Sequence, residues 1–218
     1  MMRGMTHLAR LERLALCDTF VAVGPDVPTL CSPWTSADLA AHLVVRERRP
    51  DLAAGIWLPP LASLTERAQQ AYAAKPWPEL VDLVRTGPPA YLPTRINALD
   101  DAFNFLEFVI HHEDILRGDE VPGPRREVSP TVSKAIWKSL SRLSKLYFRR
   151  VPVGLVLETL DGRSVTARAG TELGTVVLRG APLELLLTAS GRRRVADLEV
   201  MGSEEAVAAL WATRLGLS

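Results

Sequence analysis

The stretch EFVIHHEDILRG, residues 107–118, places two histidines and two acids in the middle of an apolar segment near the centre of the chain. Apolar residues recur at helical spacing on either side of it, so the pattern predicts a helix over residues 95–117. Thr94 is suited to cap the start of this helix, and Gly118 is suited to its C-terminal stop. This helix decides the fold, because its polar residues need partners from other helices.

The polar residues of this helix fall on one side of it. A helical wheel at ~100° per residue gathers four of them into a narrow stripe: Asp100, Glu107, His111 and Asp114. Large apolar side chains border the stripe: Ile96, Phe103, Phe108, Ile110 and Ile115. A polar stripe between such flanks is predicted to be buried, where uncompensated carboxylates would cost several kcal/mol. A bound cation is one way to compensate them.

Glu107 and His111 stand four residues apart, so both side chains reach the same point, as metal ligands do in helical bundles. His112 points ~100° away from His111 on the wheel and is not expected to share the ion. The missing ligand is predicted to be His42, within the apolar helix DLAAHLVV. A His₂Glu set leaves an open position, as catalytic zinc sites do. The alternative is a plain i,i+4 ion pair between Glu107 and His111, without a metal.

Several neighbours of these residues have less certain roles. Asp38 precedes His42 by four residues and is a possible ligand or ligand partner, but we favour a capping box with Thr35. Asp114 is expected either to orient His111 or to pair with Arg117. Two further polar residues are predicted to lie on the bundle surface or at a domain interface: His112 and Glu113. Four tryptophans are predicted to pack in the core or in pocket walls: Trp34, Trp57, Trp77 and Trp137.

The rest of the chain suggests two domains. Helices are predicted at 5–23, after PWTS at 33–36, near 60–74 and 77–86 in a proline-rich segment, and from Ser129 to about 148. After residue 150 the pattern changes to a β-hairpin that turns at 161–162, strands near 175–179 and 197–201, and helices at 182–190 and 203–215. The sequence therefore predicts an α+β fold, with a helical domain over 1–150 and a small α/β domain over 151–218.

Composition excludes several classes of protein. The chain has 218 residues, 47% of them hydrophobic and 23% charged, and a net charge of +1. This balance gives no sign of nucleic-acid binding or of a membrane surface, and no apolar run approaches the ~20 residues of a membrane span. Cys17 and Cys31 lack CxxC spacing and are predicted to be reduced thiols of a cytoplasmic protein.

Two motifs carry a resemblance to a known family. The segments WTSADLAAHL and EFVIHHEDILRG resemble the metal-ligand motifs of the mycothiol-dependent maleylpyruvate isomerase family, which are DinB-like bundles. The segment GAPLELLLTASGRRRVADLEVMGSEEAVAALW resembles the small sterol-carrier-like domain of those enzymes. The resemblance implies a DinB-like four-helix bundle that holds a divalent ion, most often Zn²⁺, through His42, Glu107 and His111. It also implies mycothiol as cosubstrate, an electrophilic small-molecule substrate and an actinobacterial source.

Some features depart from the family pattern. The doubled HHED and the proline-rich segment 50–93 indicate a distinct subfamily. The isomerases also use a C-terminal arginine, for which the candidates here are Arg192, Arg193, Arg194 and Arg214. Three functions stay open: a thiol-dependent S-transferase or isomerase, which we favour; a metal-dependent hydrolase with Asp114 or Asp38 as base; and a metal- or ligand-binding protein without catalysis. The sequence does not identify the catalytic residues or the oligomeric state.

Overall fold

The structure is a computed structural model that describes residues 7–53, 55, 58–92, 97–118 and 125–216, with the backbone alone at 50, 59 and 97–103. It divides into two compact units, Met1–Arg125 and Arg126–Ser218. Each unit has its own set of elements and is described by itself. The predicted α+β fold is confirmed by the combination of helices with a four-stranded sheet.

The first unit is helical. Its helices are α1 (Leu8–Val23), α2 (Ser36–Arg48), the short α3 (Pro50–Ala53), α4 (Ala62–Ala73), α5 (Trp77–Thr86) and α6 (Asn97–Leu116). The long helix α6 packs against α1, while α2 packs against α4 and α5. The predicted helices match these bounds closely. The predicted N-cap Thr94 and the tryptophan Trp57 lie outside the described residues.

The core of the first unit is built from the apolar faces of these helices. Residues with no exposed surface include Leu16, Phe20, Leu39, Leu43, Leu80 and Phe108. Because α2 and α6 both bury nearly all of their described apolar side chains, polar residues on them are also buried. This is the setting in which His42 and His111 lie.

Gly118 does more than end α6. It lies where the α1–α2 loop approaches closely: a Cβ placed there would overlap the carbonyl oxygen of Pro28 and come within 2.8 Å of Thr29 Cα. Those are backbone atoms, which cannot rotate away as a side-chain tip can. Gly118 is therefore required by close approach, and its φ is not among the positive values.

Gly118→Ala should destabilise the first unit by about 1–3 kcal/mol, because the loop must move to admit the methyl group. Urea unfolding of the purified variant measures the loss. Gly24→Ala is a poor control because Gly24 has a φ of 82°. Ala37→Ser, at a half-exposed position in the first turn of α2, is a better one, because such a change should cost less than about 0.5 kcal/mol. A Gly118→Ala protein as stable as the wild type would show that the loop does not need this close approach.

The second unit is a small sheet with helices. It contains α7 (Pro130–Tyr147), β1 (Gly154–Thr159), β2 (Ser164–Arg168), β3 (Thr175–Gly180), α8 (Pro182–Ala189), β4 (Glu199–Met201) and α9 (Glu204–Ala212). The strand order is β2-β1-β3-β4, with β1 parallel to β3 and the outer pairs antiparallel. The predicted hairpin turn is confirmed, with Gly162 at a φ of 84°.

Helix α7 belongs to the second of the two compact units. We placed the helix that begins at Ser129 in the first domain, whereas the structure groups it with the second unit, where it packs on α8 and β2. Ser129 does cap the helix, because its side chain accepts from the Val132 N–H. The domain limit at residue 150 concerns independent folding and stays a prediction.

Candidate metal centre

Helix α2 holds His42 in a fixed position. Its first turn is a capping box, in which the Thr35 side chain accepts from the Asp38 N–H and the Asp38 carboxylate accepts from the Thr35 N–H. The capping role that we favoured for Asp38 is therefore confirmed. His42 lies about two turns after this cap, in the buried part of the helix, and is 7% exposed.

Helix α6 presents Glu107 and His111 toward His42. His111 Nε2 lies 3.6 Å from Glu107 Oε2, and the His42 and His111 rings are 5.3 Å apart. One ligand atom from each of the three residues lies within 4.8 Å of the other two. His111 is buried, whereas about a third of the Glu107 side chain is exposed, so the cluster has a closed side and an open one. The three residues that the sequence singled out are thus neighbours in space.

Asp114 lies behind His111. Its Oδ2 is 2.9 Å from His111 Nδ1, and the carboxyl group is fully buried. A carboxylate that accepts the Nδ1 proton leaves the Nε2 lone pair pointing at Glu107 and His42, which is the arrangement that orients histidine ligands in metal sites. Of the two expected roles for Asp114, the structure shows the contact with His111, while Arg117 pairs with Glu113 at 2.6 Å.

The surroundings of His42 include a residue that sequence reasoning missed. Gln69 of α4 lies 2.8 Å from His42 Nδ1, and the Trp34 ring lies 5.0 Å from the imidazole. Since Gln69 occupies Nδ1, Nε2 is the nitrogen left to face an ion. If Nε2 binds an ion, the single proton of the neutral imidazole is on Nδ1. The Gln69 amide must then turn its oxygen toward Nδ1–H in order to accept that hydrogen bond.

Electrostatics favour a neutral His42. Burial, followed by the charge of His111, lowers the pKa of His42 to about 3, so the one free lone pair of its neutral ring is not lost to protonation near neutral pH. Burial alone would raise the pKa of Glu107, but the hydrogen bond from His111 and the charge of Arg46 lower it to about 2. Glu107 is therefore a carboxylate throughout the physiological range.

His111 behaves differently. Burial opposes its protonation, but hydrogen bonds with Asp114, Cys31 and Glu107 raise its pKa well above the usual range. Without a metal, a protonated His111 between Glu107 and Asp114 would compensate the charge of both carboxylates. This arrangement is the ion pair without a metal. A metal on Nε2 would displace that proton and take over the compensation of Glu107.

A second polar network reaches Glu107 from α2. Arg46 Nε is 3.6 Å from Glu107 Oε2, and the same guanidinium donates to Asn104 Oδ1. Asn104 Nδ2 in turn donates to Glu47 Oε1 at 3.3 Å, and Glu47 also pairs with Arg13. Sequence reasoning missed this network because its members come from three helices. It holds a positive charge beside the open side of the cluster.

A bundle-surface position for His112 and Glu113, one of the two predicted alternatives, is wrong, while a domain-interface position stays a prediction. They are 5% and 0% exposed. His112 Nδ1 lies 2.9 Å from Glu12 Oε1 and its Nε2 lies 2.8 Å from Thr19 Oγ1, both on α1. The wheel correctly turned His112 away from His111, but α6 is covered on that side by α1 and has no solvent face there.

The two cysteines are free thiols in different settings. Cys17 is fully buried, and burial raises its pKa to about 12. Cys31 lies in the α1–α2 loop, half-buried, with Sγ 3.1 Å from Asp114 Oδ2. The other described tryptophans pack as expected: Trp137 is buried, and Trp77 meets Phe20 edge to face at 5.5 Å.

The donor set fits a divalent transition metal. Two imidazoles and one carboxylate suit Zn²⁺, and three protein ligands leave room for a fourth, exogenous one. Ligand atoms of a tetrahedral site lie about 3.3–3.8 Å apart, and one ligand atom from each of the three side chains lies within 4.8 Å of the other two. Small side-chain movements would therefore bring them to that spacing around an ion.

Comparison with known proteins supports the fold. No family model matches this sequence, and no curated protein matches it either. Two solved structures share the fold. One is the mycothiol-dependent maleylpyruvate isomerase, at 14% identity and a TM-score of 0.60, covering 88% of this chain and 90% of that one. The other is a histidine-to-alanine mutant of the mycothiol-dependent maleylpyruvate isomerase, at 13% identity, a TM-score of 0.59 and the same coverage.

The fold-level resemblance to the isomerase is confirmed over both units. The described helices include none with the length and apolarity of a membrane span. Of the candidate C-terminal arginines, Arg193 stacks on Trp211 at 4.9 Å, and Arg192 donates to the Ser190 carbonyl at 2.6 Å. A role for any of them in the site stays a prediction.

Proposed function

We propose that this protein is a divalent-metal enzyme that activates a low-molecular-weight thiol of the mycothiol type for S-transfer or cis–trans isomerisation. The observation that carries the proposal is the cluster of His42, Glu107 and His111, within 4.8 Å of one another. The fold shared with a mycothiol-dependent isomerase supports the thiol as the exogenous partner.

Each residue of the site would have a distinct role. His42, Glu107 and His111 hold the ion, while Gln69 and Asp114 fix the rings of the two histidines. Zinc bound there supplies a Lewis acid that lowers the pKa of a coordinated thiol. Glu107 is the only anionic member of the ligand set, so the loaded site keeps a net positive charge that favours a thiolate.

Arg46 adds to this charge. Its guanidinium lies beside Glu107, which is the partly exposed ligand. The side chain of Arg46 is 13% exposed, so an acidic group on a substrate that approaches from this side would lie near its positive charge. This position suits an electrophilic small molecule that carries an acidic group, and it does not select the substrate.

The alternatives find less support. A hydrolase would need a free carboxylate as base, but Asp38 caps α2, and Asp114 lies on the far side of the His111 ring. A closed structural zinc site would need a fourth protein ligand. Within the described part of the chain, the cluster around His42 contains three ligand groups, and Asp38 is not one of them.

Thiol coordination can be tested on the Co²⁺-loaded protein. Adding mycothiol to the Cys31→Ser variant should produce an intense sulfur-to-cobalt charge-transfer band, because a thiolate enters the open position. The Cys31→Ser background removes the protein thiol nearest to the site as a source of the band. S-methyl mycothiol is the matched control, since it keeps the sugar groups but cannot form a thiolate.

Two results would count against the proposal. If neither compound changes the spectrum of a protein that holds one cobalt per chain, the site does not bind the thiol. If both change it equally, recognition does not involve the sulfur. Either result would shift the proposal toward a metal-binding protein without thiol chemistry.

A further inference from the structure

We propose that Cys31, His111 and Asp114 form a second ligand set, which shares His111 with the first and takes soft divalent cations such as Cd²⁺. One ligand atom from each of the three residues lies within 4.8 Å of the others. Asp114 faces Nδ1 of the His111 ring, whereas Glu107 faces Nε2. Binding at this second set requires neither thiol chemistry nor zinc at the first set.

The geometry places three donors around one point. Asp114 Oδ2 is 2.9 Å from His111 Nδ1 and 3.1 Å from Cys31 Sγ. In a tetrahedral site with metal–ligand distances of ~2.0–2.3 Å, ligand atoms are about 3.3–3.8 Å apart. The donors therefore need to separate by only about half an ångström to admit a zinc-sized ion, and somewhat more for a larger one.

The position of Cys31 is fixed by the fold. The Leu30 N–H donates to the Asp114 carbonyl oxygen at 2.9 Å, which ties the loop to the last turn of α6. On the other side of Cys31, the Trp34 N–H donates to the Cys31 carbonyl oxygen, and the Thr29 hydroxyl accepts from the Cys31 N–H. These contacts hold the backbone of Cys31 beside Asp114, and from there its Sγ reaches Asp114 Oδ2 at 3.1 Å.

Charge and softness distinguish the two sets. A thiolate and a carboxylate together match the two positive charges of a divalent ion, so the Cys31 set can bury the ion as a neutral group. The first set has one carboxylate and two imidazoles. Thiolate ligands favour soft ions, whereas imidazole and carboxylate suit harder ones. Cd²⁺ should therefore prefer the set that contains Cys31.

The shared histidine links the two sets. His111 presents Nε2 to Glu107 and Nδ1 to Asp114. A neutral imidazole has one lone pair, so it can serve one set at a time. A soft ion on Nδ1 would also remove the carboxylate contact that orients Nε2 for the first set. Occupancy of the Cys31 set is thus expected to disable the first.

Cadmium binding to the full-length, metal-free protein tests the proposal. Titration with CdCl₂ should produce the ultraviolet sulfur-to-cadmium charge-transfer band in the wild type, in Cys17→Ala and in His42→Ala. Cys17→Ala is the matched control, because it removes the other thiol of the chain. His42→Ala removes a residue that belongs only to the first set.

The isosteric variant Cys31→Ser should lose the band, and His111→Ala should weaken cadmium binding about tenfold or more. Circular dichroism of each variant confirms the fold before titration. Three results would overturn the proposal: no band in the wild type, an unchanged band in Cys31→Ser, or loss of the band in a folded His42→Ala protein. A protein that shows the band but binds no zinc at the first set would support this inference while the proposed function fails.

Discussion

Replacing Glu107 or His111 by alanine should reduce the zinc content from about one ion per chain to nearly none. Each change removes one of the three proposed ligands, which lie within 4.8 Å of one another. Second-sphere changes alone cost ~10–100-fold in metal affinity, so loss of a ligand should cost at least as much. Elemental mass spectrometry on protein purified without a metal-affinity tag measures the content directly.

The control for this prediction lies next to His111 in the sequence. His112→Gln keeps a hydrogen-bonding side chain near Glu12 and Thr19 and should retain the metal, because His112 faces α1. If the His112 variant loses zinc while His111→Ala keeps it, the assignment of the ligand face of α6 is wrong. If the wild type holds no metal, Glu107 and His111 are a buried ion pair and the protein is not a metal enzyme.

The grouping of Glu107 with His111 and Asp114 could be predicted because their spacing is local. Glu107, His111 and Asp114 lie four and three residues apart on one helix, so helical periodicity alone brings them together. His42 could be added because the chain has only four histidines, and His42 lies in another apolar helix. In the same way, the Asp161–Gly162 turn and its flanking strands are a local signal that the structure reproduces.

The rest of the site could not be predicted because tertiary contacts create it. Gln69 lies in a proline-rich segment with no pattern that relates it to His42, and Cys31 reaches Asp114 through a loop. The burial of His112 was missed for a related reason. A helical wheel compares the faces of one helix by their polarity. It does not show that α1 packs against the face that carries His112 and supplies Glu12 as its partner.

Replacing Arg117 by methionine should destabilise the first unit by about 3–5 kcal/mol, as loss of one partner from a buried ion pair does. Arg117 Nε donates to Glu113 Oε2 at 2.6 Å, and the two residues are 1% and 0% exposed. The variant would leave the Glu113 carboxylate buried without that donor. Such a loss is a large share of the ~5–15 kcal/mol by which a native protein is stable. Urea unfolding followed by far-UV circular dichroism measures it.

An exposed pair of the same spacing provides the control. Lys75 and Glu79 also stand four residues apart, at 2.6 Å, but their side chains are 36% and 51% exposed. Lys75→Met should cost less than about 1 kcal/mol, since water already screens that pair. The double variant Glu113→Leu/Arg117→Met should recover most of the stability, because it removes both members of the buried pair together. If Arg117→Met costs no more than Lys75→Met, then Glu113 has another means of compensation, and the end of α6 does not depend on this pair.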